Sequence, residues 1–298
     1  MVPDVHPGLA RLLFVCIACI GMVSAAAADT TAAATLRARY AALAAQSGPS
    51  QFQRPLHLDS VEGSRTLKGD IFALVDYPFA SVSTALNSPE RWCDVMILHI
   101  NTKYCHASAD STRTMLSVSI GKKFDQPLED AYRVEFSYRA VAATADYFAV
   151  ELTAKSGPLA TSDYRILLEA APAESGKTLV HLTYSYAYGV AGKLAMQAYL
   201  ATTGRSKVGF TITGRQPDGQ PDYIGGVRGL VERNTMRYFL AIDAYLGALT
   251  VPLPEQFEKR LRAWYDSTDV YARQLHEVDR AAYLEMKRSE YRRQQAAR

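Results

Sequence analysis

Catalytic signatures are missing from this chain, and so is any large excess of charge. Its 33 Lys and Arg stand against 30 Asp and Glu, a net charge of +3 over 298 residues, and the basic residues form no long run. A protein that lives off phosphate contacts shows a basic stripe, so nucleic acid is not expected as a partner. No G-x-S-x-G elbow, P-loop or H-E-x-x-H motif occurs. Ser119-Ile120-Gly121-Lys122 matches S-x-x-K but falls inside a strand pattern, where a nucleophile opening a helix is not expected. His57, His99, His106, His181 and His276 are scattered, and no carboxylate or third histidine stands at ligand spacing beside His99 and His106. Neither metal nor cofactor is therefore expected. His181 alternates onto a polar strand face and reads as solvated. Asp218-Gly219-Gln220-Pro221-Asp222 lacks the remaining oxygen ligands of a calcium loop and reads as turn chemistry.

Cysteine is scarce as well, with 4 residues, and two of them sit in a leader. Arg11 is followed by an apolar run from Leu12 to Val23, then Ser24 and alanines to Ala28. A cationic start, a short apolar core and small residues at the end describe a secretory signal peptide over 1–28. The run is shorter than the ~20 residues of a spanning helix. Cleavage after Ala28 implies export, with the periplasm as the expected location. Cys93 and Cys105 then remain, an even pair in an oxidising compartment, and a disulfide between them is expected. Closing so short a loop stabilises a fold by roughly 3 kcal/mol on the chain-entropy account. Tryptophan is rare at 2 residues and Phe modest at 10, whereas Tyr reaches 18. An apolar body with a polar tip suits the wall or rim of a half-wet cavity, and equally an ordinary sheet face.

The mature chain divides into three stretches. Residues 29–54 are Ala-rich, with Leu36, Tyr40 and Leu43 at helical spacing, and read as a short helix and linker. Residues 55–250 form the body. Residues 251–298 are charged, with Phe257, Leu261, Trp264, Leu275 and Val278 in a narrow helical stripe, and read as a solvated rod that packs along the body or pairs with another copy and is dispensable for ligand binding. Within the body an apolar run from Ile71 to Tyr77 precedes a helical segment at 79–86, a break at Asn87-Ser88-Pro89 and a second helix from Glu90. Strand patterns follow at 97–104, 113–122, 132–141, 147–155, 163–171 and 178–188. Val134, Phe136 and Tyr138 share one face; so do Phe148, Val150 and Leu152, and Val180, Leu182, Tyr184, Tyr186 and Tyr188. An antiparallel sheet with one apolar and one solvated face follows. Its cover is the 190–203 segment together with a long helix opening at Gly226, which places Leu230, Asn234, Tyr238 and Ile242 along one side. At roughly 1.5 Å per residue that helix spans about 36 Å, enough to cross a sheet.

Ile71-Phe72-Ala73-Leu74-Val75-Asp76-Tyr77-Pro78-Phe79, Ser88-Pro89-Glu90-Arg91-Trp92-Cys93-Asp94 and Arg233-Asn234-Thr235-Met236-Arg237-Tyr238-Phe239, in this order of elements, resemble the START-like superfamily of lipid-transfer and Bet v 1-like domains. The resemblance covers roughly residues 56–250. It implies an α+β helix-grip fold, a curved antiparallel sheet wrapped around a long C-terminal helix, here with a charged helical segment added. It also implies a cavity between sheet and helix for a lipid or other hydrophobic small molecule, without a cofactor. The residues placed to line it are Phe136, Tyr138, Val150, Tyr184, Tyr186, Asn234, Tyr238 and Ile242. Binding or transfer of such a molecule in the periplasm, with transient membrane contact, is the expected function. Two alternatives stay open: a cavity enzyme of cyclase or hydrolase type, and an interaction protein acting through its C-terminal helix. Oligomeric state is not readable from the sequence.

Overall fold

The computed structural model describes residues 30–46, 51–110, 112–202 and 204–296. The signal peptide expected over 1–28, with Cys16 and Cys19, lies outside the described residues. The fold is α+β in the helix-grip manner. Eight antiparallel strands form one sheet in the order β1 (Leu56–Glu62), β2 (Thr66–Val75), β8 (Thr178–Tyr188), β7 (Thr161–Pro172), β6 (Phe148–Gly157), β5 (Tyr132–Ala143), β4 (Thr114–Ile120), β3 (Thr102–Ala109). After β2 the chain crosses to the far edge through α2 (Phe79–Leu86) and α3 (Pro89–Met96), then meanders back strand by strand until β8 pairs with β2.

Two prolines set that crossing. Pro78 stands at the cap of α2 and Pro89 at the first turn of α3, where the missing N–H costs nothing. The Trp92 indole donates to the Leu86 carbonyl at 2.8 Å and fastens α3 to α2. Cys93 on α3 is joined to Cys105 on β3 as a disulfide. The strand expected from residue 97 begins only at Thr102, because 97–101 turn between α3 and β3; the Asn101 amide holds the turn by donating to the Gly121 carbonyl at 2.7 Å. β1, an amphipathic edge strand without a strong apolar run, was not anticipated.

The gripped helix is α5 (Gly226–Gly247), reached from β8 through α4 (Val190–Ala201) and a small hairpin of β9 (Ile212–Arg215) and β10 (Pro221–Tyr223). α5 lies against β1, β2 and β8. Gly69 permits that approach: a Cβ there would stand 2.3 Å from the Thr235 hydroxyl. Glu232, buried on α5, accepts hydrogen bonds from the hydroxyls of Ser60 and Thr211, both at 2.6 Å, and so ties β1 and the 209–211 segment to the helix.

The charged C-terminal stretch corrects the expectation of a separable rod. It folds as α6 (Leu253–Asp269), α7 (Ala272–Leu275) and α8 (Arg280–Ala296), and its stripe belongs to the core. Trp264 stacks on Tyr283 at 4.8 Å and donates to the Arg237 carbonyl of α5 at 3.2 Å. The Tyr283 hydroxyl donates to the Leu98 carbonyl at 2.8 Å. Glu290 sits between Lys103 at 2.9 Å and Lys287 at 2.7 Å, with side chains no more than 1% exposed. Lys287 also donates to the carbonyls of His99 and Thr102, each at 2.7 Å. Charge in this stretch therefore marks internal polar links as well as solvent, which helical periodicity alone does not distinguish.

Glu290→Gln should lower stability by about 3 kcal/mol, because two buried ammonium groups lose their counter-charge; urea unfolding measures it. A chain ending at Pro252 should fail to fold, read by loss of near-UV circular dichroism. Intact-mass analysis before and after reduction should show two hydrogens gained on opening Cys93–Cys105.

Candidate functional site

Alternation along β8 sends Tyr184 and Tyr186 to the concave side, where α5 brings Tyr238 and β7 brings Tyr164. The rings of Tyr184 and Tyr238 lie 5.2 Å apart, and those of Tyr164 and Tyr186 stack at 5.2 Å. Phe136 joins edge-on to Tyr164 at 6.3 Å. His99, from the turn after α3, stacks on the opposite side of the cluster against Tyr238 at 4.7 Å.

Burial raises the phenol pKa of Tyr184 and Tyr238 well above the ordinary value and that of Tyr164 to about 12. These phenols are neutral at any physiological pH. Burial, aided by the charges of Arg237 and Lys287, pushes the His99 imidazole well below its usual value. Its Nδ1 accepts from the Asn101 backbone N–H at 3.2 Å, which leaves the proton on Nε2. That Nε2 is sealed in the interior without a hydrogen-bond partner, and so is the Tyr138 hydroxyl.

Tyr184 and Tyr238 carry no hydrogen bond from their hydroxyls among the described residues. These two residues keep 6% and 8% accessible surface, while Leu182, Leu168 and Leu152 keep none. Tyr164 and Tyr186 beside them keep 7% and 5%, so none of the four clustered tyrosines is fully sealed. Tyr164, by contrast, is bonded to Thr161 at 2.6 Å, and the Tyr186 hydroxyl lies 3.7 Å from the Met196 sulfur.

The residues expected to line a cavity divide accordingly. Tyr184, Tyr186 and Tyr238 come together, and Phe136 reaches them through Tyr164. Tyr138 is half-buried on β5, in the electrostatic range of Glu90 at the start of α3. Asn234 is half-buried, and its Oδ1 accepts from the Arg237 guanidinium at 3.3 Å, so its polar end is met within its own helix. Val150 is closed between Ala140 and Leu168 in the sheet, and Ile242 is buried on α5; neither belongs to the ring contacts. Tyr164 and His99 were missed by sequence reasoning. Alternation about Ile166 and Leu168 carries a signal for the former, whereas nothing local signals the latter.

The outer face of the sheet is not simply solvated. A helix over residues 30–46, α1, covers Phe72, Leu74, Tyr147, Ala149, Ala171 and Leu179 with Ala33 and Leu36. His181 is corrected here: it is 2% exposed, with Nε2 at 3.0 Å from Asp70 and Nδ1 at 2.7 Å from Glu169. Its ring stacks on Phe72 at 4.0 Å, and the Arg39 guanidinium of α1 lies 5.1 Å over the same Phe72. A groove of about 620 Å³ opens beside α1, with Lys68, Asp70 and His57 in its wall. Burial opposes a charge on His181, but the hydrogen bonds and charges of Asp70 and Glu169 outweigh it and raise the imidazole above 6.5. Both carboxylates are held below their usual range against burial, chiefly by the His181 bond.

The raised imidazole contributes stability that is full below its unfolded value of 6.5 and is lost as pH rises through its folded value. The depressed carboxylates contribute above their unfolded values and lose that contribution as pH falls. His181→Gln should therefore cost about 3 kcal/mol near neutrality or just below, with the deficit shrinking at alkaline pH. Urea unfolding across a pH series measures both.

No family model matches the chain, and no curated protein matches it. By structure it is similar to Ara h 8.0201, at 11% identity and a TM-score of 0.37, covering 61% of this chain and 99% of that one. It is similar also to the norcoclaurine synthase of Thalictrum flavum, at 14% identity and a TM-score of 0.32, covering 50% and 89%. Human StAR-related lipid transfer protein 5 follows at 10% identity and a TM-score of 0.31, covering 57% and 90%.

Proposed function

We propose that the protein is exported and holds a lipid or other hydrophobic small molecule between the concave sheet and α5, against Tyr164, Tyr184, Tyr186 and Tyr238. One observation carries the reading: two tyrosine hydroxyls with no hydrogen bond among the described residues, on side chains of the core that keep some accessible surface. Buried polar groups are nearly always hydrogen-bonded, so an occupant with an oxygen between these rings satisfies what the chain leaves open. The wall is otherwise apolar, and each methylene it takes from water stabilises the complex by about 0.8 kcal/mol.

The chemistry of the wall narrows the polar end of the occupant. Its phenols are neutral, and His99 beside them is neutral. The buried cations of α5 are turned elsewhere, Arg233 to the Val208 carbonyl at 3.1 Å and Arg237 to Glu277 at 2.7 Å. An anionic head in this gap would meet cations only at a distance, from Arg233 near Tyr186 and from Arg237 and Lys287 near His99. It would find no direct ion pair among the phenols of the wall, which is costly in a desolvated site. A hydroxyl, ketone or ester end is the better fit. Export is supported by the Cys93–Cys105 disulfide, a bond that persists in oxidising compartments.

Organic extraction of protein purified from its own periplasmic fraction, followed by mass spectrometry, should yield one recurring neutral species in near-stoichiometric amount. Replacing both hydroxyls, Tyr184→Phe with Tyr238→Phe, should weaken binding of a fluorescent neutral sterol about tenfold or more, since each lost hydrogen bond is worth about 1 kcal/mol. Clean extracts together with no binding across a lipid panel overturn the reading.

A further inference from the structure

Between β8 and α5 the chain builds a helix whose polarity is inverted. On α4, Gly192 and Met196 are buried, while Val190, Ala191, Leu194, Ala198 and Ala201 face outward. Val190 is 80% exposed and Leu194 61% exposed, among the most exposed large apolar side chains described. Beside them stands Leu159, 60% exposed, on the turn between β6 and β7. That turn holds Leu159 and Ala160 at φ of 58° and 54°, a left-handed conformation that costs energy for residues with a side chain. α4 seats on it directly: a Cβ at Gly192 would lie 3.0 Å from the Ala160 carbonyl oxygen and 3.2 Å from that of Leu159. Glycine allows the contact, which seats the inner side of α4 on a turn whose Leu159 is itself exposed. Three large apolar side chains thus share one water-facing ridge.

The charge along the segment that carries α4 has one sign. From Ser175 to Pro217 the chain contains no Asp or Glu, and it carries Lys177, Lys193, Arg205, Lys207 and Arg215. Lys177 is paired with Asp76 and Lys207 donates to the His276 carbonyl, whereas Lys193 and Arg205 are exposed next to the ridge. On the adjoining elements Glu62 is held by Tyr188 and Asp163 by the Ser162 hydroxyl. A short helix with an apolar outward face and cations but no acids along its own segment suits an interface that is apolar beneath and anionic at its surface. A stable contact with a folded protein asks for ~800 Å² on each side. A helix of 12 residues is about 18 Å long and presents one narrow face, which falls short of that. No helix among the described residues is long and apolar enough to cross a membrane, so an encounter with a bilayer here is lateral.

We propose that α4 and the Leu159 turn form a docking surface for an anionic lipid bilayer, with Val190, Leu194 and Leu159 entering the acyl boundary and Lys193 and Arg205 at the headgroups. Met196 on the inner side of α4 touches the Tyr186 hydroxyl at 3.7 Å, so the docked helix lies over the rim of the aromatic interior. The surface stands on its own exposure and charge, independently of what fills that interior.

Flotation of the full protein with vesicles of phosphatidylglycerol and phosphatidylethanolamine, compared with pure phosphatidylcholine, tests it. Binding should favour the anionic vesicles and fall with salt. Lys193→Glu should weaken it by more than about fivefold, the factor expected from one cation alone. Leu159→Asp with Leu194→Asp should abolish it while leaving the thermal melt unchanged, and Val61→Asp, a comparable change on β1, should not affect it. Leu194→Trp should show a blue-shifted emission with anionic vesicles, read above the two buried native tryptophans. Absence of flotation, equal flotation of the double Asp variant, or concentration-dependent self-association removed by Leu194→Asp overturns the proposal. None of these outcomes depends on whether organic extracts of the protein are empty.

Discussion

Glu290 holds its single negative charge between two lysine ammonium groups with almost no access to water, and much of the molecule is arranged around that fact. Lys103 comes from the start of β3, two positions before Cys105, and Lys287 and Glu290 come from α8. Such a cluster is tolerable only when every proton finds an acceptor. Lys287 supplies two of its protons to the His99 and Thr102 carbonyls, and burial still lowers it to about 8. Lys103 gives another to the Phe124 carbonyl at 3.0 Å. The segment from α3 to β3 is thereby fixed from both sides, covalently to α3 and electrostatically to α8. His99 lies within it, and its place against Tyr238 is a consequence of that fixation.

Much of the architecture was legible because period-2 alternation is a strong signal where one sheet face is sealed. Val180 to Tyr188 read as one face and is one face, and Asn87-Ser88-Pro89 read as the break it is. The failures share a physical cause. His181 alternates with the apolar residues of β8 and so belongs on the polar side, but alternation says only which side, never what lies above it. An Ala-rich helix arriving from residues 30–46 converts that side into a second small core, and its contacts are remote in sequence. The C-terminal stretch misled in the same way. A narrow stripe with dense charge describes both a solvated rod and a helix packed by polar links, and only the partner, Lys103 at a separation of 187 residues, tells them apart.

The site was half legible for a related reason. An excess of tyrosine on one strand face pointed to the concave wall, and Tyr184, Tyr186 and Tyr238 do meet there. Asn234 misdirected because a polar residue on a helix face can be met by the next turn of its own helix, here by Arg237. His99 gave no signal at all, since its role comes from a turn whose position is set by a disulfide and by α8.

Charge is sorted by depth and by face in this molecule, and the sorting bears on what each region can bind. The concave interior near α5 presents neutral phenols and a neutral imidazole, with cations of α5 committed to groups on other elements. Ion pairs are concentrated on the outer sheet face around His181, with Asp70 and Glu169, and at the α8 seam, where Glu290 meets Lys103 and Lys287. On α4, which packs against β8 and α5, apolar side chains meet water beside the exposed Lys193 and Arg205. Nothing in the packing of the fold calls for large apolar side chains at the exposed positions Val190 and Leu194. Retaining an apolar ridge in an acid-free stretch therefore has its physical justification in an encounter with something apolar outside the chain, and the ridge's place over the Tyr186 rim sets that encounter at the entrance to the interior.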